Sequence, residues 1–288
     1  MSDAAILEAV NSKTQADLVL VGRSEEGTSG GALYVAWPDG RQSAVTIFLG
    51  RAAHAQQTAS LLELARSRGL LVPRHELIVD TDHGAFVVQE RLAGSPPAAV
   101  TTAVMDAVVD INDGFAHLLR DRPDVEQLPL CLSQSGDPYP RHEVLAAHSS
   151  RSWNVLAAIR AIGAEGPIGL DGDDLLHIDL DLSNVLFDTD GAVTGVIDWN
   201  LGAYRGDRNL ALVKTRFEQE WSLHEPRSDP VRAEAVRHLD AVLEERVSPR
   251  DLRRYWAHRL LYQLHWALQS MPPEVVDWHL DVAEERLQ

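Results

Sequence analysis

The sequence contains very little cysteine and very little lysine. Its one cysteine, Cys131, cannot form a disulfide within the chain, and a zinc site of four cysteines or of two cysteines and two histidines is excluded. A single cysteine also gives no reason to expect an oxidising compartment. Only Lys13 and Lys214 are lysines, and every other basic residue is arginine. Any chemistry that requires a lysine side chain therefore depends on these two positions.

Positive charge and long apolar runs are also scarce. The 288 residues include 43 Asp and Glu against 26 Lys and Arg, for a formal net charge of −17. This balance disfavours nucleic acid and anionic membranes as partners, because both repel an acidic protein. No stretch reaches about 18 uninterrupted apolar residues, and Asp3 and Glu8 lie where a signal peptide would need basic residues. We expect a cytoplasmic protein with no nucleic-acid partner and no membrane partner.

The first third of the chain shows the apolar pattern of short strands. Its β-type runs are DLVLVG, GALYVAW and SAVTIFL, followed by an alanine- and leucine-rich helix over 51–69 and two more runs, HELIVD and AFVVQER. The segment LAGSPP over 92–97 then breaks any regular element. The pattern predicts an N-lobe over 1–92, with a five-stranded antiparallel sheet and one helix.

Residues 93–288 are predicted to form a mainly helical C-lobe. Helical periodicity extends over 98–122 and 142–163, and helices resume near Arg208. Between them, LLHIDLDLSNVLFDTDGAVTGVIDW over 175–199 indicates a loop that runs into a β-hairpin with its turn at Thr189, Asp190 and Gly191.

This hairpin region carries the residues with the clearest chemistry. Asp179 is followed five residues later by Asn184, and Asp198 closes the second strand of the hairpin. Phosphoryl transfer needs a carboxylate that orients the attacking hydroxyl and accepts its proton, and it needs oxygen ligands for Mg²⁺ on the nucleotide phosphates. One loop can supply the base and a first ligand, and the hairpin can return Asp198 to the same ion.

The segments HIDLDLSNVLFD and GVIDW resemble the Brenner-type motif of the aminoglycoside phosphotransferase family, in which H-G-D-x-x-x-x-N precedes a hairpin that ends in I-D-W or I-D-F. The order of elements is similar over nearly all of the chain. The resemblance implies an α+β, bilobal protein-kinase-like fold and a small-molecule kinase. It implies Asp179 as the catalytic base, His177 as the residue that orients the loop, and Asn184 and Asp198 as magnesium ligands. Ile178 replaces the motif's glycine.

The family also implies a nucleotide site in the N-lobe, for ATP or GTP together with Mg²⁺. Its phosphate-binding flap falls on the glycine-rich turn after the first strand, although such a turn by itself is more often a plain flexible connection. The base is expected against the backbone of the hinge. The residues expected to bind nucleotide are Ser24, Gly27, Thr28, Ser29 and Gly30 in the flap, Thr46 in the third strand, and Gln89, Glu90 and Leu92 at the hinge.

Two residues depart from the family pattern together. Thr46 occupies the position of the third-strand lysine that contacts the nucleotide phosphates, and Thr58 occupies that of the helix glutamate which pairs with this lysine. Threonine can donate only one hydrogen bond to phosphate. The cations near enough in sequence to compensate are Arg23, Arg41 and Arg51.

Together these features predict a phosphotransferase that moves the γ-phosphoryl group to a hydroxyl of an antibiotic of the aminoglycoside, basic peptide, macrolide or nucleoside type, and so confers resistance. A metabolite kinase for an amino alcohol or a sugar is one alternative. A nucleotide-binding pseudokinase is another, suggested by the two threonines. The acids Asp171, Asp173 and Asp174 either favour a cationic acceptor or only keep the surface solvated. Asp207 either anchors the loops below the site or caps a helix.

Overall fold

The computed structural model describes residues 2–24, 31–81, 84–137, 139–223 and 229–287. Within them the strands are β1 (Val19–Arg23), β2 (Leu33–Ala36), β3 (Gln42–Phe48), β4 (His75–Thr81), β5 (Gly84–Glu90), β6 (Asp174–His177), β7 (Val185–Phe187), β8 (Val193–Val196) and β9 (Ala203–Gly206). The helices are α1 (Asp3–Thr14), α2 (Ala52–Ser67), α3 (Thr102–Asp113), α4 (His142–His148), α5 (Ser150–Ala164), α6 (Asn209–Phe217), α7 (Glu220–Leu223), α8 (Pro230–Arg246), α9 (Pro249–Ser270) and α10 (Pro273–Arg286).

The chain divides into two compact units. The first comprises Met1–Ala99, Asp106–Leu118 and His177–Ala203, and the second comprises Val100–Met105, Leu119–Leu176 and Tyr204–Gln288. The first unit therefore contains both the N-terminal sheet and the predicted catalytic loop with its hairpin. The lobe boundary at residue 92 stays a prediction.

The predicted five-stranded antiparallel sheet is confirmed, in the order β1-β2-β3-β5-β4. Helix α2 covers one face, where its Ala55 packs with Phe48, Ala85 and Val87. Ala85 and Val87 are alternate residues of β5, as expected for a strand with one face against a helix.

The other face of the sheet is covered by α1, a helix that the sequence analysis did not assign. Ser2 caps it by accepting a hydrogen bond of 3.3 Å from the backbone N–H of Ala5. Ile6 and Val10, one helical turn apart, are buried against the sheet together with Val35 and other strand residues. The first unit therefore has two helices on its sheet where the sequence predicted one.

The second unit is mainly helical, and the predicted helix over 142–163 is divided in two. Ser149 is extended, with φ −160° and ψ 165°, and forms a capping box with Ser152 at the start of α5. The Ser149 hydroxyl accepts from the backbone N–H of Ser152, and the Ser152 hydroxyl accepts from that of Ser149, so the two side chains satisfy N–H groups that a continuous helix would have paired. Among the described residues, no helix is long and apolar enough to cross a bilayer.

The hairpin of β7 and β8 is formed as predicted. Val185 pairs with Val196, and the Asp188 carboxylate accepts hydrogen bonds of 2.9 Å from the backbone N–H groups of Asp190 and Ala192. Gly191 has φ +83°, a conformation that favours glycine in this turn. Asp198 follows β8 and lies at the base of the hairpin.

Candidate active site

A buried histidine holds the loop that follows β6. The Nε2 atom of His177 lies 2.9 Å from the carbonyl oxygen of Ile197, and its Nδ1 atom accepts a hydrogen bond of 3.1 Å from the backbone N–H of Asp179. Because Nδ1 accepts, the proton of the neutral ring is on Nε2 and is donated to Ile197. Burial lowers the pKa of His177, which favours this neutral form. His177 thus connects the loop at Asp179 to the residue before Asp198.

Asp179 and Asn184 lie on one tight turn. The side-chain Nδ2 of Asn184 donates a hydrogen bond of 2.9 Å to the backbone oxygen of Asp179. Since the amide nitrogen holds the turn, the amide oxygen is the atom left to bind a metal. The neighbouring Asp181 has a capping role, because its Oδ1 accepts a 2.6 Å hydrogen bond from the N–H of Leu182.

Asp198 has a left-handed backbone conformation and a carboxyl group with a raised pKa. Its φ of 62° and ψ of 54° are left-handed, a conformation that residues other than glycine rarely adopt. The Nδ2 of Asn200 donates a hydrogen bond of 2.6 Å to Oδ1 of Asp198. Burial raises the pKa of the Asp198 carboxyl, and the nearby charge of Asp179 raises it further.

This donor set fits a magnesium ion. Asn184 and Asp198 offer oxygen ligands, which Mg²⁺ prefers over nitrogen and sulfur. Burial and the charge of Asp179 raise the pKa of Asp198, and a bound divalent cation would act in the opposite direction by favouring the charged carboxylate.

The two threonines that replace the expected lysine and glutamate both contact residues shortly after Asp198. The hydroxyl of Thr46, on β3, donates a hydrogen bond of 2.8 Å to Oδ1 of Asn200. The hydroxyl of Thr58, fully buried on α2, accepts one of 3.1 Å from the backbone N–H of Ala203. Direct contact of Thr46 with phosphate stays a prediction.

Asn200 is the residue that sequence reasoning missed. It stands two positions after Asp198, directly behind the Ile-Asp-Trp motif, and its polar side chain there was the available signal. Its partner Thr46 is 154 residues away along the chain, so no local pattern could show the pair.

The flap is described only at its first residue. The backbone N–H of Ser24 donates a hydrogen bond of 2.9 Å to the carbonyl of Ala32, which closes the hairpin of β1 and β2. The other four predicted flap residues lie outside the described residues. These are Gly27, Thr28, Ser29 and Gly30.

The hinge residue Gln89 has a buried side chain with an unpaired oxygen. It is 5% exposed, and its Oε1 has no hydrogen-bond partner among the described residues. Gln89 lies opposite Ala44 in the sheet register, which places it on the same face as Thr46. A buried amide oxygen without a donor is costly, so this atom is a candidate contact for a bound base.

The rest of the hinge is attached to neighbouring elements. The carboxylate of Glu90 accepts a hydrogen bond of 2.7 Å from Arg66 on α2. Leu92 lies against the hairpin, since a Cβ atom added at Gly195 of β8 would come within 2.4 Å of its Cδ1. Leu92 of the hinge is therefore in direct contact with the hairpin of β7 and β8.

Two of the three candidate cations are already paired. Arg23 forms an ion pair of 2.6 Å with Asp3, and Arg41 pairs with Glu76. Arg51 precedes α2, is exposed, and has no side-chain partner in the part of the chain that the structure describes. Of the three, Arg51 has the uncommitted guanidinium.

The acids before the catalytic loop are partly neutralised within the second unit. Asp174 is buried, and its Oδ2 lies 3.2 Å from Nη1 of Arg208. Asp173 lies 3.4 Å from Nε of Arg120, whereas Asp171 is exposed. Two of these three charges thus serve local pairing.

Asp207 caps the start of α6 and also connects it to α9. Its Oδ1 accepts a hydrogen bond of 2.9 Å from the backbone N–H of Asn209 at the start of α6, and its Oδ2 accepts one of 2.7 Å from the hydroxyl of Tyr255 on α9.

The fold and the loop–hairpin arrangement define a protein-kinase-like phosphotransferase. Residues 25–208 match the model of the APH phosphotransferase enzyme family. The match covers more than half of the chain, and the chain therefore belongs to this family. The enzyme class predicted from the sequence, a kinase with an alcohol group as acceptor, is confirmed. A comparison with curated proteins found no match.

Solved structures of kinases share the fold at low sequence identity. A thermostable mutant of aminoglycoside phosphotransferase APH(4)-Ia has a TM-score of 0.67 at 19% identity, with 97% of each chain covered. Amicoumacin kinase hAmiN has a TM-score of 0.67 at 11% identity, covering 99% of this chain and 94% of the other. Choline kinase LicA from Streptococcus pneumoniae has a TM-score of 0.62 at 16% identity, covering 99% and 98%. These likenesses establish the protein-kinase-like fold.

Proposed function

We propose that the protein is a magnesium-dependent kinase that moves the γ-phosphoryl group of ATP or GTP to a hydroxyl of an antibiotic and thereby confers resistance. The observation that carries the proposal is the arrangement of Asp179, Asn184 and Asp198 around the buried ring of His177. A base and two oxygen ligands on one loop and one hairpin are what phosphoryl transfer requires.

Each of these residues has a distinct role in the proposal. Asp179 orients the acceptor hydroxyl and accepts its proton, and His177 holds the backbone of Asp179 in place. The oxygens of Asn184 and Asp198 hold Mg²⁺, which when bound neutralises charge on the phosphates.

The nucleotide is proposed to lie along the sheet face that carries Thr46 and Gln89. Purine bases carry N–H donors, and one of these would satisfy the buried Oε1 of Gln89. The backbone of Glu90 and Leu92 would contact the base edge. The phosphates are assigned to the flap residues Ser24, Gly27, Thr28, Ser29 and Gly30, with Arg51 as an added cation.

The acceptor is proposed to be an antibiotic with cationic groups. The net charge of −17 favours such a molecule over an anionic one. A structure of the APH(4)-Ia enzyme holds AMP-PNP and hygromycin B, and that of hAmiN holds AMP-PNP, Ca²⁺ and Ami. A metabolite acceptor, as in a choline kinase, is the alternative that the acceptor screen decides. The cytoplasmic location stays a prediction.

The test is a coupled assay for ADP and GDP release over a panel of acceptors. The panel contains aminoglycosides, macrolides, basic peptide antibiotics, nucleoside antibiotics, amino alcohols and sugars. We expect turnover with an antibiotic, its loss in EDTA and its recovery with Mg²⁺. By calorimetry, Asp198→Ala should bind Mg-nucleotide more weakly than the parent. A parent chain that binds no nucleotide would overturn the proposal, and nucleotide binding without turnover on any acceptor would favour the pseudokinase.

A further inference from the structure

The side chain of Asn200 connects β3 to the predicted metal ligand. Its Oδ1 accepts a hydrogen bond of 2.8 Å from the hydroxyl of Thr46, and its Nδ2 donates one of 2.6 Å to Oδ1 of Asp198. The three side chains form a continuous relay within the first unit. Thr46 stands where the family pattern has a lysine. The relay therefore starts at the position where that lysine would carry a positive charge.

The relay has one favourable orientation. A primary amide has an acceptor at one end and donors at the other. With the Thr46 hydroxyl donating to Oδ1, the donor end of Asn200 faces the carboxylate of Asp198. The reversed amide would place its oxygen against a carboxylate oxygen, and two acceptors repel each other.

The backbone around Asn200 is held by β3 and α2. The N–H of Leu49, directly after β3, donates a hydrogen bond of 2.8 Å to the carbonyl of Asn200, and Ala203 donates to Thr58 of α2. Gly202 has φ +90°, and a Cβ atom there would come within 2.3 Å of Cε1 of His54. Residues 198–203, here called the metal-ligand segment, are therefore held by β3 at Asn200 and by α2 at Gly202 and Ala203.

We propose that Asn200 is a positioning residue for Asp198, and that Thr46 acts through Asn200 and not on the nucleotide phosphates. The inference rests on the proposed function, because it assumes that Asp198 binds the metal. A neutral relay fixes one carboxylate oxygen by a charge-assisted hydrogen bond and adds no positive charge that would compete with the cation. Thr46 thus occupies the position of the family's lysine, but it orients Asn200 and does not contact phosphate.

The test measures metal binding and nucleotide binding separately in Thr46→Val, which removes the hydroxyl with little change of shape. Calorimetry would follow Mn²⁺ binding to the complex of the protein with AMP-PNP, and AMP-PNP binding alone in EDTA. We expect Mn²⁺ affinity to fall about 3- to 10-fold, the usual effect of one hydrogen bond, with AMP-PNP affinity in EDTA changed less than about 2-fold.

Two further variants define the role of the hydroxyl. Thr46→Ser keeps the donor and should restore Mn²⁺ affinity to that of the parent. Thr14→Val is the matched control, because it makes the same chemical change at a different place. The hydroxyl that it removes donates to the carbonyl of Val10 within α1. This control should leave both affinities unchanged. Thermal unfolding of every variant shows whether it is folded.

A double-mutant cycle tests the connection. Asn200→Ala should weaken Mn²⁺ binding at least as much as Thr46→Val, and the double variant should be no weaker than Asn200→Ala alone, because both changes break one relay. Should Thr46→Val fail to fold, Thr46→Ala, which also removes the hydroxyl, carries the same comparison.

The outcomes are separable from those of the proposed function. The inference is overturned if Thr46→Val binds Mn²⁺ as tightly as the parent, if the two changes are additive, or if AMP-PNP affinity in EDTA falls as much as Mn²⁺ affinity, which would mean direct phosphate contact. A parent chain that binds AMP-PNP neither with nor without Mn²⁺ would instead overturn the proposed function, and the inference with it.

Discussion

At the scale of single residues, the predicted catalytic loop contains two aspartates with different surroundings. Asp179 lies at the turn held by His177 and Asn184, whereas Asp181 caps the 3-10 turn Leu182–Asn184 through the N–H of Leu182. Two residues of the same type, two positions apart, thus allow a matched comparison.

We expect Asp179→Asn to lower kcat by at least about 100-fold with nucleotide affinity nearly unchanged. The amide keeps the size of the side chain but cannot accept the acceptor proton, and general-base effects are typically about 10²- to 10⁴-fold. Steady-state kinetics and calorimetry check this. Asp181→Asn is the control, because asparagine also caps and should keep kcat. Retained turnover in Asp179→Asn would remove Asp179 from the proposed role.

At the scale of elements, the sheet contains a buried histidine that should make the folded protein less stable in acid. Both ring nitrogens of His75 on β4 are buried without a hydrogen-bond partner among the described residues, and burial lowers the pKa of His75 to about 4. Below an unfolded pKa of about 6.5 the unfolded chain takes up a proton that the folded chain refuses. Stability is therefore lost as pH falls from about 6.5 to about 4.

Replacement by an apolar ring should reduce this loss. His75→Phe should keep or raise stability at pH 7, since it removes two unpaired polar atoms from a strand that favours aromatics. Between pH 7 and pH 5 it should lose about 2 kcal/mol less than the parent. Urea unfolding at both pH values measures the difference, with His148→Phe on an exposed face of α4 as control. An equal loss in His75→Phe and parent would show that other groups cause the acid sensitivity.

Prediction of elements from the sequence succeeded where the pattern was local. The β-type runs of β1 to β5 and the hairpin of β7 and β8 are formed as expected. Helix α1 was missed because its two buried positions, Ile6 and Val10, become an apolar face only when the sheet is there to cover them. The break at Ser149 was missed because a capping box competes closely with a continuous helix.

At the scale of the whole molecule, net charge is the property with a testable consequence for the acceptor. Asp173 and Asp174 are paired with arginines, so the three acids before the loop are a weaker attractor than their spacing indicates. The overall charge of −17 remains.

Raising salt to about 0.5 M should therefore raise KM for a cationic acceptor more than for an uncharged one, because the Debye length shortens from about 10 Å at 0.1 M. Steady-state kinetics with two acceptors that share the reactive hydroxyl but differ in charge would measure this. The nucleotide KM serves as the internal reference. If KM for the cationic acceptor does not depend on salt, the acidic surface serves solubility alone.

The sequence alone determined the enzyme class and the candidate catalytic residues, because His177, Asp179, Asn184 and Asp198 lie within one loop and one hairpin whose geometry depends on local spacing. Only the tertiary structure decided what Thr46 and Thr58 contact. Their partners, Asn200 and Ala203, lie 154 and 145 residues away. A hydrogen bond between such distant residues exists only after the sheet, α2 and the metal-ligand segment have packed together, and no local pattern encodes it.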